Sequence, residues 1–288
     1  VIVGKYGFNI LERDASFELF GRVGLYYIMF LAGLEMDMEG LKKSIRRVGL
    51  FAILTFSIPF LMTLLMGTSV LGYSFLASLL LGCLMASNTL IAYPIVARYG
   101  LQRHPTSTLS VGASMLSLSL ALVAMAIIVN SASGEGGIWF WLLFVVKLTL
   151  FGTAMLMLIP RLTRWFLRRY SDAVMQFVFV LSVMFLTAAL SDWIGLEGIF
   201  GAFFAGLILN RYIPSLSPLM NRLEFTGNAL FIPYFLIGVG MLINVQLLFE
   251  GRHILWVMIC FIIFGTVGKA AAAYLTAFLF RLPLPWGH

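Results

Sequence analysis

Long apolar runs, interrupted at intervals by short clusters of Lys, Arg, Gly, Pro and Ser, set the pattern of this chain. A bilayer core about 30 Å thick takes about 20 apolar residues of helix to cross. Runs of that kind predict nine spans, at 19–36, 48–67, 73–97, 107–129, 138–160, 173–192, 196–212, 225–243 and 254–280. The runs are continuously apolar, without the period-2 alternation of a membrane β-barrel strand, so the fold class is all-α: a polytopic transmembrane helical bundle.

Composition sharpens that reading by exclusion. Of the 288 residues 61% are hydrophobic and 11% charged, and the mean hydropathy is +1.01. A water-facing domain of this length needs about twice that charge to solvate its surface. A soluble enzyme, a nucleic-acid binder and a disordered scaffold are thereby excluded, and the partner of the chain is the lipid bilayer. Cys83 and Cys260 both lie inside apolar runs and read as small buried hydrophobes, not as a disulfide framework. The chain opens on VIVGKYGFN without a Met or a secretory pattern and closes on FRLPLPWGH directly after a hydrophobic run. It reads as one membrane domain over 1–288, truncated at both ends.

The formal charge of +7 has to be read loop by loop. Lys42, Lys43, Arg46 and Arg47 follow the first span, Arg98 and Arg103 the third, Arg161, Arg164, Arg168 and Arg169 the fifth, and Arg211 and Arg222 the seventh. Loops after the second, fourth and sixth spans carry no Lys or Arg, and the eighth has Arg252 beside Glu250. The positive-inside rule then places the odd loops and the C-terminal end in the cytoplasm, and the N-terminal end outside.

Ionisable groups within hydrocarbon are costly, about 3 kcal/mol at a helix centre, and so mark functional candidates. Lys269 sits mid-span in FGTVGKAAAAYL, where small neighbours allow close helix approach and would hide its ammonium among protein groups. Lys147, in WLLFVVKLTLFG, reads as a snorkelling or helix-bridging base. No Asp or Glu lies at the middle of any span. In CLMASNTLIAYPIV, Ser87, Asn88 and Thr89 stand together mid-span and Pro94 removes a backbone donor, so this helix is expected to break. Half-helix ends at mid-membrane are how transporters coordinate small cations. The eighth span, with Asn228, Pro233, Gly238 and Gly240, is expected to be interrupted too, and Ser110, Ser114 and Ser117 put hydroxyls at helical spacing along the fourth. Such hydroxyls either ligate a dehydrated cation or bond back to carbonyls of their own helix.

Four stretches, FLAGLEMDM, ASNTLIAYPIVARYGL, GLEGIFGAFFAGLILNRYIP and SPLMNRLEFTGNALFIPYFLIGVGML, occur in an order that closely resembles bacterial monovalent cation:proton antiporters of the second cation:proton antiporter family, with the sodium/hydrogen exchanger fold. The resemblance implies an inverted-repeat bundle with broken helices, a homodimer in the cell (inner) membrane, and an elevator motion of a core domain against a dimerisation domain. It implies Na⁺ or K⁺ and H⁺ as substrates and brings in no cofactor. Asn88 and Thr89 then fall on the unwound stretch of the first crossing helix, and Lys269 on the family's intramembrane lysine. The position where the family carries its ion-binding Asp is Leu118, preceded by Ser117.

Two functions follow as expectations. One is exchange of Na⁺ or K⁺ for H⁺, with Ser114, Ser117, Asn88 and backbone carbonyls replacing the carboxylate and Lys269 carrying the proton. The other is a transport-deficient homologue serving as a membrane sensor or scaffold. A retinal protein built on Lys269 is disfavoured by nine spans and the missing counter-ion, and a membrane enzyme by the location of His104, His253 and His288 in loops or at the end.

Overall fold

The computed structural model describes residues 4–8, 10–11, 14–87, 99–101, 104–133, 138–214, 216–244 and 251–280, and among these there is no strand. The helices are α1 (Ala15–Glu35), α2 (Met38–Lys43), α3 (Ile45–Leu65), α4 (Phe75–Ala86), α5 (Pro105–Ser133), α6 (Ile138–Arg169), α7 (Ala173–Ile194), α8 (Gly198–Leu209), α9 (Pro218–Thr226), α10 (Ile232–Leu242) and α11 (Arg252–Phe280). A five-residue π turn, Met66–Val70, continues α3, and another, Gly227–Phe231, joins α9 to α10. Seven helical stretches are long and apolar enough to cross a membrane, while α4 and α8 are shorter apolar helices. Among the described residues seven of the nine expected spans thus have a helix of membrane length, and the third and seventh have a shorter apolar one. The fifth runs further than expected, to Arg169 instead of 160, because nothing between Arg161 and Arg169 stops a helix until Asp172 caps the next one.

The chain divides into two compact units. One gathers α1 and α6 to α10, the other α2 to α5 and α11.

The first unit is built on α1. Its C-terminal half is sealed from solvent, with Tyr27, Ile28, Met29 and Phe30 all 0% exposed. Gly33 of α1 and Gly206 of α8 meet at a crossing where a Cβ on either would collide with the carbonyl oxygen of Phe203 or Phe30, so both AG pairs of the sequence are read as backbone contact points. The Tyr27 hydroxyl donates to the Leu223 carbonyl at 3.0 Å, and its ring stacks on Phe231 at 5.2 Å. Asn210, just past α8, donates from Nδ2 to the carbonyls of Leu34 and Met36, satisfying the end of α1.

The eighth span is continuous, contrary to the expected interruption. The π turn puts the Ile232 N–H on the Gly227 carbonyl, five residues back. That wider turn accommodates Pro233, whose missing N–H and bulky ring would otherwise break an α-helix.

The second unit is built on α3, which packs against α4, α5 and α11. Val48, Ala52 and Ala113 are each 1% exposed and join α3 to α5, flanked by Phe51 and Leu109. Gly268 of α11 lies against Pro59, where an added Cβ would stand 3.1 Å from the proline Cα. Large apolar side chains project outward from α6 and α11, including Leu150, Leu158, Ile262 and Phe278, as lipid-facing helices require.

Candidate functional site

The third predicted span stops early. Helix α4 ends at Ala86, and Ser87 turns into extended backbone at ψ 131°, with its N–H on the Cys83 carbonyl. The carbonyls of the last turn of any helix lack an intrahelical donor and carry partial negative charge. One of them is met from α5: the fully buried Ser117 hydroxyl donates to the Ala86 carbonyl at 3.1 Å. Serine serves here because its hydroxyl reaches across a helix contact without placing a charge there. Beside it Leu118 is 2% exposed and Ser114 6%. Ser110, on the same face nearer the start of α5, is exposed, so burial is confined to Ser114 and Ser117. Asn88 and Thr89 lie outside the described residues.

Lys269 departs from its expected setting. Its side chain is exposed and has no hydrogen bond or ion pair among the described residues. The physical reason is register: Gly268, one position earlier, takes the contact with Pro59 and Met62 of α3, which turns Lys269 away by the 100° of one helical residue. Among the described residues of this unit it is still the one charged side chain far from a span end. Lys147, in the other unit, has its Nζ 5.5 Å from the Trp193 ring of α7, the contact expected of a helix-bridging base rather than a snorkelling one.

Sequence reasoning missed a second set of polar groups in the α3 unit. Thr55, Thr63, Ser78 and Thr108 are buried, and none of their hydroxyls has a hydrogen-bond partner among the described residues. Thr55, Pro59, Thr63 and Gly67 follow one another at intervals of four, so a single stripe of α3 is lined by hydroxyls and helix-weakening residues. Gly67 lies against Ser78 of α4, with room for no more than a hydrogen. Buried hydroxyls without partners are rare and mark places where water or an ion completes the set. The i, i+4 spacing was present in ILTFSIPFLMTLLMG, but threonine is apolar enough to pass as part of a hydrophobic run.

A third group lies where α7 turns into α8. Asp192 accepts from the Gly198 N–H at 2.6 Å and from the Tyr26 hydroxyl at 3.1 Å, while Ser191 donates to the Glu197 carbonyl.

The whole chain, 1–288, matches the family described as sodium/hydrogen exchanger, transmembrane. The Na(+)/H(+) antiporter NhaS5 of Synechocystis is 36% identical over 278 residues, covering 96% of this chain. The probable Na(+)/H(+) antiporter 3 of Methanocaldococcus jannaschii is 27% identical over 87% of it. The K(+)/H(+) antiporter 1 of Saccharomyces cerevisiae is 26% identical over 88%. The chain spans 40%, 65% and 30% of the length of these relatives. The solved sodium proton antiporter MjNhaP1 of Methanocaldococcus jannaschii superimposes with a TM-score of 0.57 over the whole chain and 71% of its own, at 17% identity.

Proposed function

This chain belongs to the sodium/hydrogen exchanger family, and from that premise we propose that it exchanges a monovalent cation, Na⁺ or K⁺, for H⁺ across the membrane. The observation that carries the reading is the end of α4 at Ala86, met by Ser117 of α5. A helix C-terminus concentrates partial negative charge, and with the hydroxyls of Ser114 and Ser117 and the adjoining Asn88 and Thr89 it supplies neutral oxygen ligands to a dehydrated cation. Lys269 carries the proton: its charge leaves as the cation's arrives, so the membrane interior never holds both. The moving body of the elevator is the unit of α2 to α5 and α11, and the other unit is the frame through which two chains form a homodimer. The natural setting is the inner membrane, with the C-terminal end in the cytoplasm, a reading the loop charges support.

A second reading rests on Leu118. An apolar side chain, 2% exposed, fills the position at which the resemblance places a carboxylate, and leucine binds neither proton nor cation. The protein is then an antiporter scaffold retained as a sensor.

One experiment separates the two. The protein is reconstituted in vesicles with a pH-sensitive dye, and fluorescence recovery is followed on adding Na⁺ and then K⁺, for the native chain, Lys269→Ala and Leu118→Asp. Exchange predicts recovery in the native chain and its loss in Lys269→Ala. Silence in the native chain with recovery in Leu118→Asp establishes the scaffold, and recovery that survives Lys269→Ala removes the lysine from the proton path.

A further inference from the structure

We infer that the C-terminal end of α6 is a binding site for the phosphodiester headgroup of an anionic phospholipid. Helix α6 has 32 residues, which at 1.5 Å each is about 48 Å, well beyond a hydrocarbon core of about 30 Å. Its last turns therefore emerge at headgroup level. There Arg161, Arg164, Trp165 and Arg168 follow at i, i+3, i+4 and i+7, on one face. Along that same face toward the membrane stand Leu150, Met157 and Leu158, exposed by 66%, 56% and 59%. The sequence of chemistries along the face, acyl-compatible and then cationic, is that of a lipid molecule from tail to phosphate.

Two adjoining hollows make this more than a basic slope. One, of about 390 Å³, is lined by Arg164, Leu167, Arg168, Arg211 and Tyr212. The other, of about 440 Å³, is lined by Arg161, Arg164, Trp165, Arg168 and Arg169. Both fall within the α1 unit. Arg164 and Arg168 border both, so five arginines line the two hollows, with no carboxylate within ion-pair distance of any of them among the described residues.

The walls are held in place. Arg164 donates to the Tyr212 hydroxyl at 3.3 Å. Phe166 stacks on Phe179 of α7 at 4.1 Å, and Gln176 donates to the Tyr170 carbonyl at 2.8 Å. Charge at a helix C-terminus complements the macrodipole, which accounts for Arg168 and Arg169. It does not account for Arg161 and Arg164, two turns earlier, or for Arg211, which arrives from beyond α8. Planar guanidiniums arrayed around a concave surface are suited to bidentate recognition of phosphate oxygens, and Trp165, 59% exposed, is the amphipathic ring that favours the interface.

Native mass spectrometry of the purified chain, supplied with equal amounts of phosphatidylglycerol and phosphatidylcholine, tests the site. The native chain is expected to retain phosphatidylglycerol preferentially. Arg161→Gln/Arg168→Gln, which alters two exposed side chains without described partners, should weaken that preference about 30-fold, since each basic residue near an anionic surface contributes about fivefold. Lys43→Gln/Arg46→Gln removes the same charge from the basic segment at α2 and α3 and should leave the preference unchanged. An unchanged melting temperature in phosphatidylcholine certifies the fold of each variant, and Arg161→Gln/Arg169→Gln replaces any variant that fails. Equal retention of both lipids by the native chain, or equal loss in both double variants, overturns the site. Displacement of the lipid by millimolar inorganic phosphate also overturns it, in favour of a soluble anion.

Discussion

The two units differ in how many buried hydroxyls they leave unpaired among the described residues, one (Thr163 of α6) against four. In the α1 unit the buried hydroxyl of Tyr27 and the amide of Asn210 each find a backbone carbonyl across a helix contact, and two glycines bring α1 and α8 into backbone contact. In the α3 unit Ser117 alone makes such a bond among the described hydroxyls, while Thr55, Thr63, Ser78 and Thr108 have no partner among the described residues. A helix pair with every polar group satisfied has one packing and resists change. A helix set with unused hydroxyls has groups available to water or an ion, and less to lose when its packing shifts. The first arrangement is what the proposed frame needs, and the second what the proposed carrier needs.

The contrast breaks most visibly at Gly206. Gly206→Val drives a side chain into the carbonyl of Phe30, and a backbone has nowhere to retreat. A loss of about 3 kcal/mol is expected, seen as aggregation or a melting point lowered by about 10 °C in detergent-solubilised protein.

A matched pair sharpens the comparison. Tyr27→Phe deletes the donor to the Leu223 carbonyl and should cost about 1 kcal/mol, the ordinary net value of a hydrogen bond plus the orphaned acceptor. Thr63→Val deletes a hydroxyl that has no partner. Its expected effect is neutral to stabilising by up to about 1 kcal/mol. Thermal melting of both variants decides it: equal losses would mean that a water or ion already satisfies Thr63.

Most of the architecture was legible as apolar runs, since hydrocarbon thickness dictates helix length and leaves few alternatives. The break after Ala86 was readable from Ser87, Asn88 and Pro94, which weaken a helix locally. Orientation was harder. Lys269 sits among Gly and Ala on every side, so the pattern assigned no face, and the structure gives the contact to Gly268. The threonine stripe of α3 was hidden because hydropathy scores threonine close to neutral. The arginines of α6 were visible as a basic loop. Their hollows required knowing that the helix continues to Arg169 and that Arg211 and Tyr212 return to the same place.

A π turn is an α-helix holding one residue too many, the mark that a single-codon insertion leaves when the surrounding packing is kept. Each unit carries one, at Met66–Val70 and Gly227–Phe231. One residue corresponds to 100° of helical rotation. In the stretch from Pro218 to Leu242 the extra residue therefore sets the azimuth of Leu219, Met220 and Leu223 independently of Phe235, Gly238 and Met241. All six are buried. The spare residue thereby lets the two halves of one span be fitted to their neighbours separately.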